Sequence, residues 1–309
     1  MSFLKKISFL VVVSCQSLLL NAQEIPKSYE VLNVENPEIF KELDLSNRRM
    51  NKLPPEVGEF VNIEKLFLNN NNLMSLPFEI TKLTKLREIF LNGNLFERFP
   101  IELLKMPSLE RIEIQKNKIE SISPNIGKLI KLKKLELNNN KIESLPVEIG
   151  LATKLQELHL SNNAIKEIPV EIGNLILLKS LNLEKNAIQI IPVEIGNLTN
   201  LTFLNLNENQ ILAVPVEMGK LINLKKLSLE KNQIKKIPSV FGNLVNLEYL
   251  DLDFNQLRNI FPEIINLINL KELYLSKNMF AKIPENLHGF LEKLEFGQCA
   301  EIKKIIQTK

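Results

Sequence analysis

Tryptophan is absent from the 309 residues, which contain only three tyrosines, two cysteines and two histidines. Each scarcity excludes something. Cys15 and Cys299 are too few for a disulfide framework, so the fold must hold by packing alone. His159 and His288 are far apart, and no HExxH, paired CxxC or glycine-rich phosphate loop occurs, so nothing points to catalysis, metal or cofactor. A formal net charge of +3 is neither basic enough for nucleic acid nor for an anionic membrane surface. Beyond Leu20 there is no long apolar run. Ile7 to Leu20 itself is shorter than the roughly 20 residues of a membrane span.

What is present begins with a leader. Lys5 and Lys6 precede an apolar stretch that leads to Leu20-Asn21-Ala22, the build of a secretory signal, so residues 1–22 are expected to be removed. A second reading is open: "VVSC" ending at Cys15 has the form of a bacterial lipoprotein signal, with Cys15 lipidated. If the leader is retained in the cytosol, the chain would be an intracellular scaffold.

From Phe40 the sequence repeats. Eleven copies tile residues 40–290, starting at Phe40, Ile63, Leu86, Leu109, Leu132, Leu155, Leu178, Leu201, Leu224, Leu247 and Leu270. They follow the pattern L-x-x-L-x-L-x-x-N-x-I-x-x-I-P-x-E-I-G-x-L-x-x. The alternation Leu135-x-Leu137 has period two and predicts a short strand with one buried face. Proline and glycine in the second half of each copy exclude a long helix there. Each coil exposes an apolar side that only its neighbours can cover, so the copies must stack, with their strands in one parallel sheet. Residues 23–39, with Tyr29, Val31, Leu32, Val34 and Ile39, are expected to cap one end. A partial repeat opening at Leu291 and a cap with Ile302, Ile305 and Ile306, together residues 291–309, are expected to close the other.

Position nine is asparagine in ten copies: Asn71, Asn94, Asn117, Asn140, Asn163, Asn186, Asn209, Asn232, Asn255 and Asn278. There the chain turns inward and leaves backbone groups unpaired, each costing about 1–3 kcal/mol if buried without a partner. Asparagine carries both an acceptor and donors, so it is expected to bond the turning backbone of its own coil and of the next. Its neighbours Asn138 and Asn139 are expected to face solvent. Counted from Leu291, Cys299 also falls on position nine. The acceptor patterns at Asn197 and Asn200 are read as by-products of the repeat.

This pattern resembles the leucine-rich repeat family, in its 23-residue class with LPxEIGxLxxL returns, from Phe40 to Leu291. The resemblance implies an α/β curved solenoid, with a parallel β-sheet on the concave face and short helical turns on the convex face. It also implies a monomeric, non-catalytic module that binds a protein partner through the concave face. Without cysteine-knitted caps, the chain is similar to bacterial secreted members.

Positions three, five, seven and eight are expected to line that face. Phe67 and Phe90 stand on adjacent strands, and Phe203, Tyr249, Phe254 and Tyr274 form a looser group further along. Arg111, Glu113, Lys134, Glu136 and His159 lie between them. Exposed aromatics on a rigid sheet are typical interface anchors, so these residues form the candidate partner-binding surface.

Overall fold

A computed structural model describes Leu32, residues 35–281 and 284–291, and the backbone of residues 295–296. The leader with Cys15, the cap residues Tyr29, Val31, Val34, Ile302, Ile305 and Ile306, and Cys299 lie outside these residues.

Twelve parallel strands form one open sheet in sequence order. They include β1 (Glu42–Asp44), β2 (Lys65–Phe67), β3 (Glu88–Phe90), β4 (Arg111–Glu113), β5 (Lys134–Glu136) and β6 (Glu157–His159). β7 is Ser180–Asn182, β8 Phe203–Asn205, β9 Lys226–Ser228, β10 Tyr249–Asp251, β11 Glu272–Tyr274 and β12 Glu295–Phe296. Leu135 pairs with Leu158, and Leu158 with Leu181, so every strand sits one repeat from its neighbours. The central Leu or Ile of β1 to β11 and the Leu or Ile two positions on are buried in a single core that runs through these coils. Positions three and five of the same strands face the concave surface. Each fully buried Leu or Ile contributes about 1.5–3 kcal/mol, most of it through contact with adjacent coils.

The return half of a coil is a proline followed by a short 3-10 turn, as in Pro146 and Val147–Leu151. Pro146 has φ −68° and ψ 146°, the extended geometry that leads into the turn. In two copies the proline comes one residue later, at Pro124 and Pro262, the first residue of the turn. There its fixed φ suits a helical start, and Ser123 and Phe261 take the extended conformation instead. The glycine near the end of the turn serves packing, not chain reversal. A Cβ at Gly150 would lie 2.6 Å from the Glu171 carbonyl oxygen of the next coil, and one at Gly173 2.8 Å from Glu194 Cβ.

The ten ninth-position asparagines make one recurring set of bonds. Asn163 Nδ2 donates to Leu160 O at 2.9 Å in its own coil and to Leu137 O at 3.0 Å in the preceding one. Its Oδ1 accepts from Ile142 N at 3.0 Å, also in the preceding coil. The reach is backward, not to the next coil as expected. That direction explains Arg48 in the first copy, which has no earlier repeat to serve.

The neighbouring columns are not simply solvated. Asn138 Oδ1 accepts from Ser161 N at 2.8 Å, extending the strand ladder by a side chain. Asn139 has φ 59°, and position eight has positive φ in every copy, whether Asn, Gly, Lys, Glu or Phe fills it. That left-handed turn releases the chain from the sheet into the asparagine bend. It costs roughly 1–2 kcal/mol for ordinary residues and less for asparagine.

At the C-terminal end α1 (Glu285–Leu291) replaces the 3-10 turn. Leu291 is buried in the last turn of this helix, so it does not open a repeat. Glu295 pairs with Glu272, which keeps the 23-residue offset and moves the twelfth register two residues from the expected one. At the other end Leu32 is buried, whereas Ile39 is exposed and contributes no lid there.

Candidate interaction surface on the concave sheet

The exposed positions three and five of consecutive strands form two rows, spaced by the strand separation of about 4.8 Å. At that separation rings and charges on neighbouring strands must touch, and the sequence order of the rows decides what touches what.

At the N-terminal end Phe67 and Phe90 pair in register. Their rings stack with centroids 4.6 Å apart and an interplanar angle of 6°. The Arg111 guanidinium lies 5.0 Å from the Phe90 ring centroid. Phe90 is thus covered by Phe67 on one side and Arg111 on the other, and it is only 8% exposed. It is not the open anchor expected; Phe67, half-buried, is the ring that meets solvent. Glu113 is likewise buried, because Arg111 donates to it through Nε at 2.8 Å and through Nη2.

The centre of the face is a lattice of ion pairs. Lys134 Nζ lies 2.6 Å from Glu136 and 2.8 Å from Glu157. His159 Nδ1 is 3.6 Å from Glu136, and its Nε2 is 2.9 Å from Ser180 Oγ. Gln115 also donates to Glu136. Burial disfavours the Glu136 charge, but the bonds from His159 and Lys134 outweigh it and hold the carboxyl down at about 2. Ligand atoms of Glu136, Glu157 and His159 lie within 4.8 Å of one another, close enough to share a metal. The Lys134 ammonium already spans the two carboxylates, and a divalent ion would have to displace it.

The C-terminal group divides. Phe203, Lys226 and Tyr249 are successive neighbours in row three. Lys226 Nζ lies 4.1 Å from the Tyr249 ring centroid, so Phe203 is separated from the tyrosines by a cation. Tyr249 and Tyr274 meet with centroids 5.3 Å apart at 42°. The Tyr249 hydroxyl donates to Asp251 at 3.2 Å, and the Tyr274 hydroxyl to Glu272 at 2.9 Å. Burial raises the Asp251 carboxyl above the usual range; burial and the nearby Asp251 carboxylate raise the Tyr249 hydroxyl, which stays protonated as a donor. Phe254 stands at the rim, 46% exposed, with φ 52°.

Two columns escaped the sequence reading although their spacing was visible in it. Asn200, Asn223, Asn246 and Asn269 donate to a carbonyl of the preceding coil at 2.7–2.8 Å, forming a second asparagine ladder on the flank. Asn200 is thereby engaged in the fold, as is Thr202 of the same acceptor pattern, through Lys179 O. Phe78, Ile101, Val147, Val170, Val193 and Val216, just after the proline position, are more than half exposed along the start of the convex turns. A cleft of about 240 Å³ is lined by Glu64, Arg87 and Glu110, just before the strands that carry Phe67, Phe90 and Arg111, and by Lys131 among others.

Residues 170–305 match a family model described as a leucine-rich repeat region, and residues 107–165 match one described as leucine rich repeat. No curated protein sequence matches the chain. A leucine-rich repeat protein of Leptospira interrogans is 35% identical with a TM-score of 0.81, over 86% of this chain and 68% of that one. An internalin of Listeria monocytogenes is 29% identical with a TM-score of 0.72, over 81% of this chain and 71% of that one. The Arabidopsis receptor kinase HAESA, solved with a peptide hormone and a co-receptor, is 26% identical with a TM-score of 0.64, over 80% of this chain and 47% of that one. The continuous 23-residue register, the parallel concave sheet and these matches agree: the chain belongs to the leucine-rich repeat family, whose fold is a protein-interaction scaffold.

Proposed function

We propose that this chain is an exported, non-catalytic recognition protein that holds a partner protein against its concave sheet. The observation that carries the reading is the pairing of partly exposed rings in rows three and five. Phe67 ends one stack, and Tyr249 leans on Tyr274. Such rings on a rigid sheet lose little entropy on docking and bring large apolar area with them. The basic start and short apolar leader support export, to the medium or, if Cys15 is lipidated, to the cell surface. The likeness to an internalin and to a hormone-bound receptor supports a protein or peptide partner.

A second reading rests on the exposed stripe from Phe78 to Val216, which would place the contact on the convex side. Capture of the partner by variants separates the two. Phe67→Ala with Tyr274→Ala should weaken capture about thirtyfold, as expected for a central anchor, while Val170→Lys with Val193→Lys leaves it unchanged. The opposite pattern would move the interface to the convex side.

A further inference from the structure

The carboxylates of the concave face are not all treated alike. In the N-terminal half each strand cation has an acid: Lys65 pairs with Glu42 and Glu88, Arg111 with Glu88 and Glu113, and Lys134 with Glu136 and Glu157. On β10 and β11 the pattern changes. Asp251 and Glu272 form no ion pair among the described residues, and each accepts from a tyrosine hydroxyl. Register places Tyr249 beside Glu272 and Asp251 beside Tyr274. The result is a two-by-two checkerboard of rings and carboxylates, each ring bonded to the acid on its own strand. A neutral hydroxyl orients a carboxylate without cancelling its charge; Asp251 is buried and feels Lys226 as well as its own burial, so Glu272 is the carboxylate that the patch presents. The rings add the negative faces of their π-systems. Lys226 already demonstrates the preference: it lies over the outer face of Tyr249 without an ion pair among the described residues.

Resting on the concave-face reading above, and naming the chemistry of the partner it would take, we infer that the β10–β11 checkerboard receives a basic side chain, foremost an arginine, from the partner protein. A guanidinium is planar and weakly hydrated. It stacks on an aromatic face and presents several donors to carboxylates at once. Both acceptor types stand here on adjacent strands. Phe254 on the same repeat supports the location. Its φ is that of every eighth position, but its ring, 46% exposed beside Lys231, offers an apolar contact at the rim of the site.

The three tyrosines of the chain make the test direct. With 13C-labelled tyrosine, the ring signals of Tyr249 and Tyr274 are followed by NMR while the full chain is titrated with acetyl-tetra-arginine amide. They should move saturably and Tyr29 should not. Acetyl-tetra-glutamate amide at equal concentration should leave all three in place. Asp251→Asn with Glu272→Gln keeps both hydroxyl bonds possible and should weaken the arginine peptide about tenfold, with an unchanged melting curve. Single Glu272→Gln serves if the double variant melts early. The inference is overturned if the rings ignore the arginine peptide, if the glutamate peptide moves them equally, or if the variants bind like the parent. It is also overturned if magnesium chloride alone produces the same saturable shift, which would make this a small-cation site. Failure here, with capture still dependent on Phe67, would leave the concave-face reading standing.

Discussion

Replacing Asn163 by leucine should destabilise the protein by about 2–6 kcal/mol, and the structure says where that cost arises. Ile142 N–H donates to Asn163 Oδ1 at 3.0 Å, its one partner among the described residues. Leucine would leave that donor orphaned in the core, at about 1–3 kcal/mol. The carbonyls fare better. Leu137 O still receives Asn140 Nδ2 at 2.9 Å, and Leu160 O still receives Asn186 Nδ2 at 3.0 Å. Their loss is one bond each, about 0.5–1.5 kcal/mol. Asn163→Asp sharpens the test. It keeps the acceptor for Ile142 but turns a carboxylate toward Leu137 O, Leu160 O and Ser161 O. At neutral pH it should cost at least as much as leucine, and part of the loss should return in acid, where the protonated group can donate. Asn162 is the control. Its φ of 55° predicts that Asn162→Gly changes little while Asn162→Ala costs about 1 kcal/mol. Guanidinium melts followed by circular dichroism measure all four. Because coils are coupled only to neighbours, each melt must be checked for a single transition. An Asn163→Asp variant as stable as the parent, or equal costs for Asn163→Leu and Asn162→Gly, would refute the ladder.

Gly196→Ala should cost about 1–3 kcal/mol in the same melts, because its Cβ would press on Glu217 Cβ at 2.8 Å; Gly289→Ala, in α1 with nothing within 4 Å, should instead stabilise by up to about 1 kcal/mol. Phe90→Ala should lower stability by about 3 kcal/mol and Phe67→Ala by clearly less, since only Phe90 is enclosed between a ring and a guanidinium; similar losses would contradict the stack. Glu136 has its carboxyl held near 2 against an ordinary value of 4.5, so it contributes stability fully present above about pH 4.5 and lost as pH falls toward 2. Glu136→Gln should flatten that acid limb by on the order of 2 kcal/mol, and an unchanged pH profile would refute the assignment. Intact mass of secreted material should show a chain starting at Gln23; one starting at acylated Cys15 would replace secretion by anchoring.

The fold was legible because it is repetitive: eleven copies in constant register specify strand, turn and stacking direction at every position. What the spacing could not carry was contact between copies. Phe90 reads as an exposed position-five residue, and the Phe67 ring on one adjacent strand and the arginine 21 residues later on the other bury it. The glycine column reads as a turn terminator, although its reason is the carbonyl of the following coil. The left-handed position eight gives no residue signature, since lysine occupies it as readily as asparagine. The twelfth strand is misregistered in the sequence because Leu291-x-x-Leu294-x-Phe296 has the pattern of a repeat start, although Leu291 stands 21 rather than 23 residues after Leu270 and ends a helix.

The most direct test of the account is covalent footprinting of the captured complex. Hydroxyl radicals label exposed aromatic and sulfur side chains, and the label is read before and after the partner is bound. The account predicts that Phe67, Tyr249, Phe254 and Tyr274 lose labelling while Met74 and Phe78, both more than 60% exposed, are labelled as in the free chain. Protection of Phe78 with unchanged labelling of the tyrosines would place the partner on the convex side and contradict it.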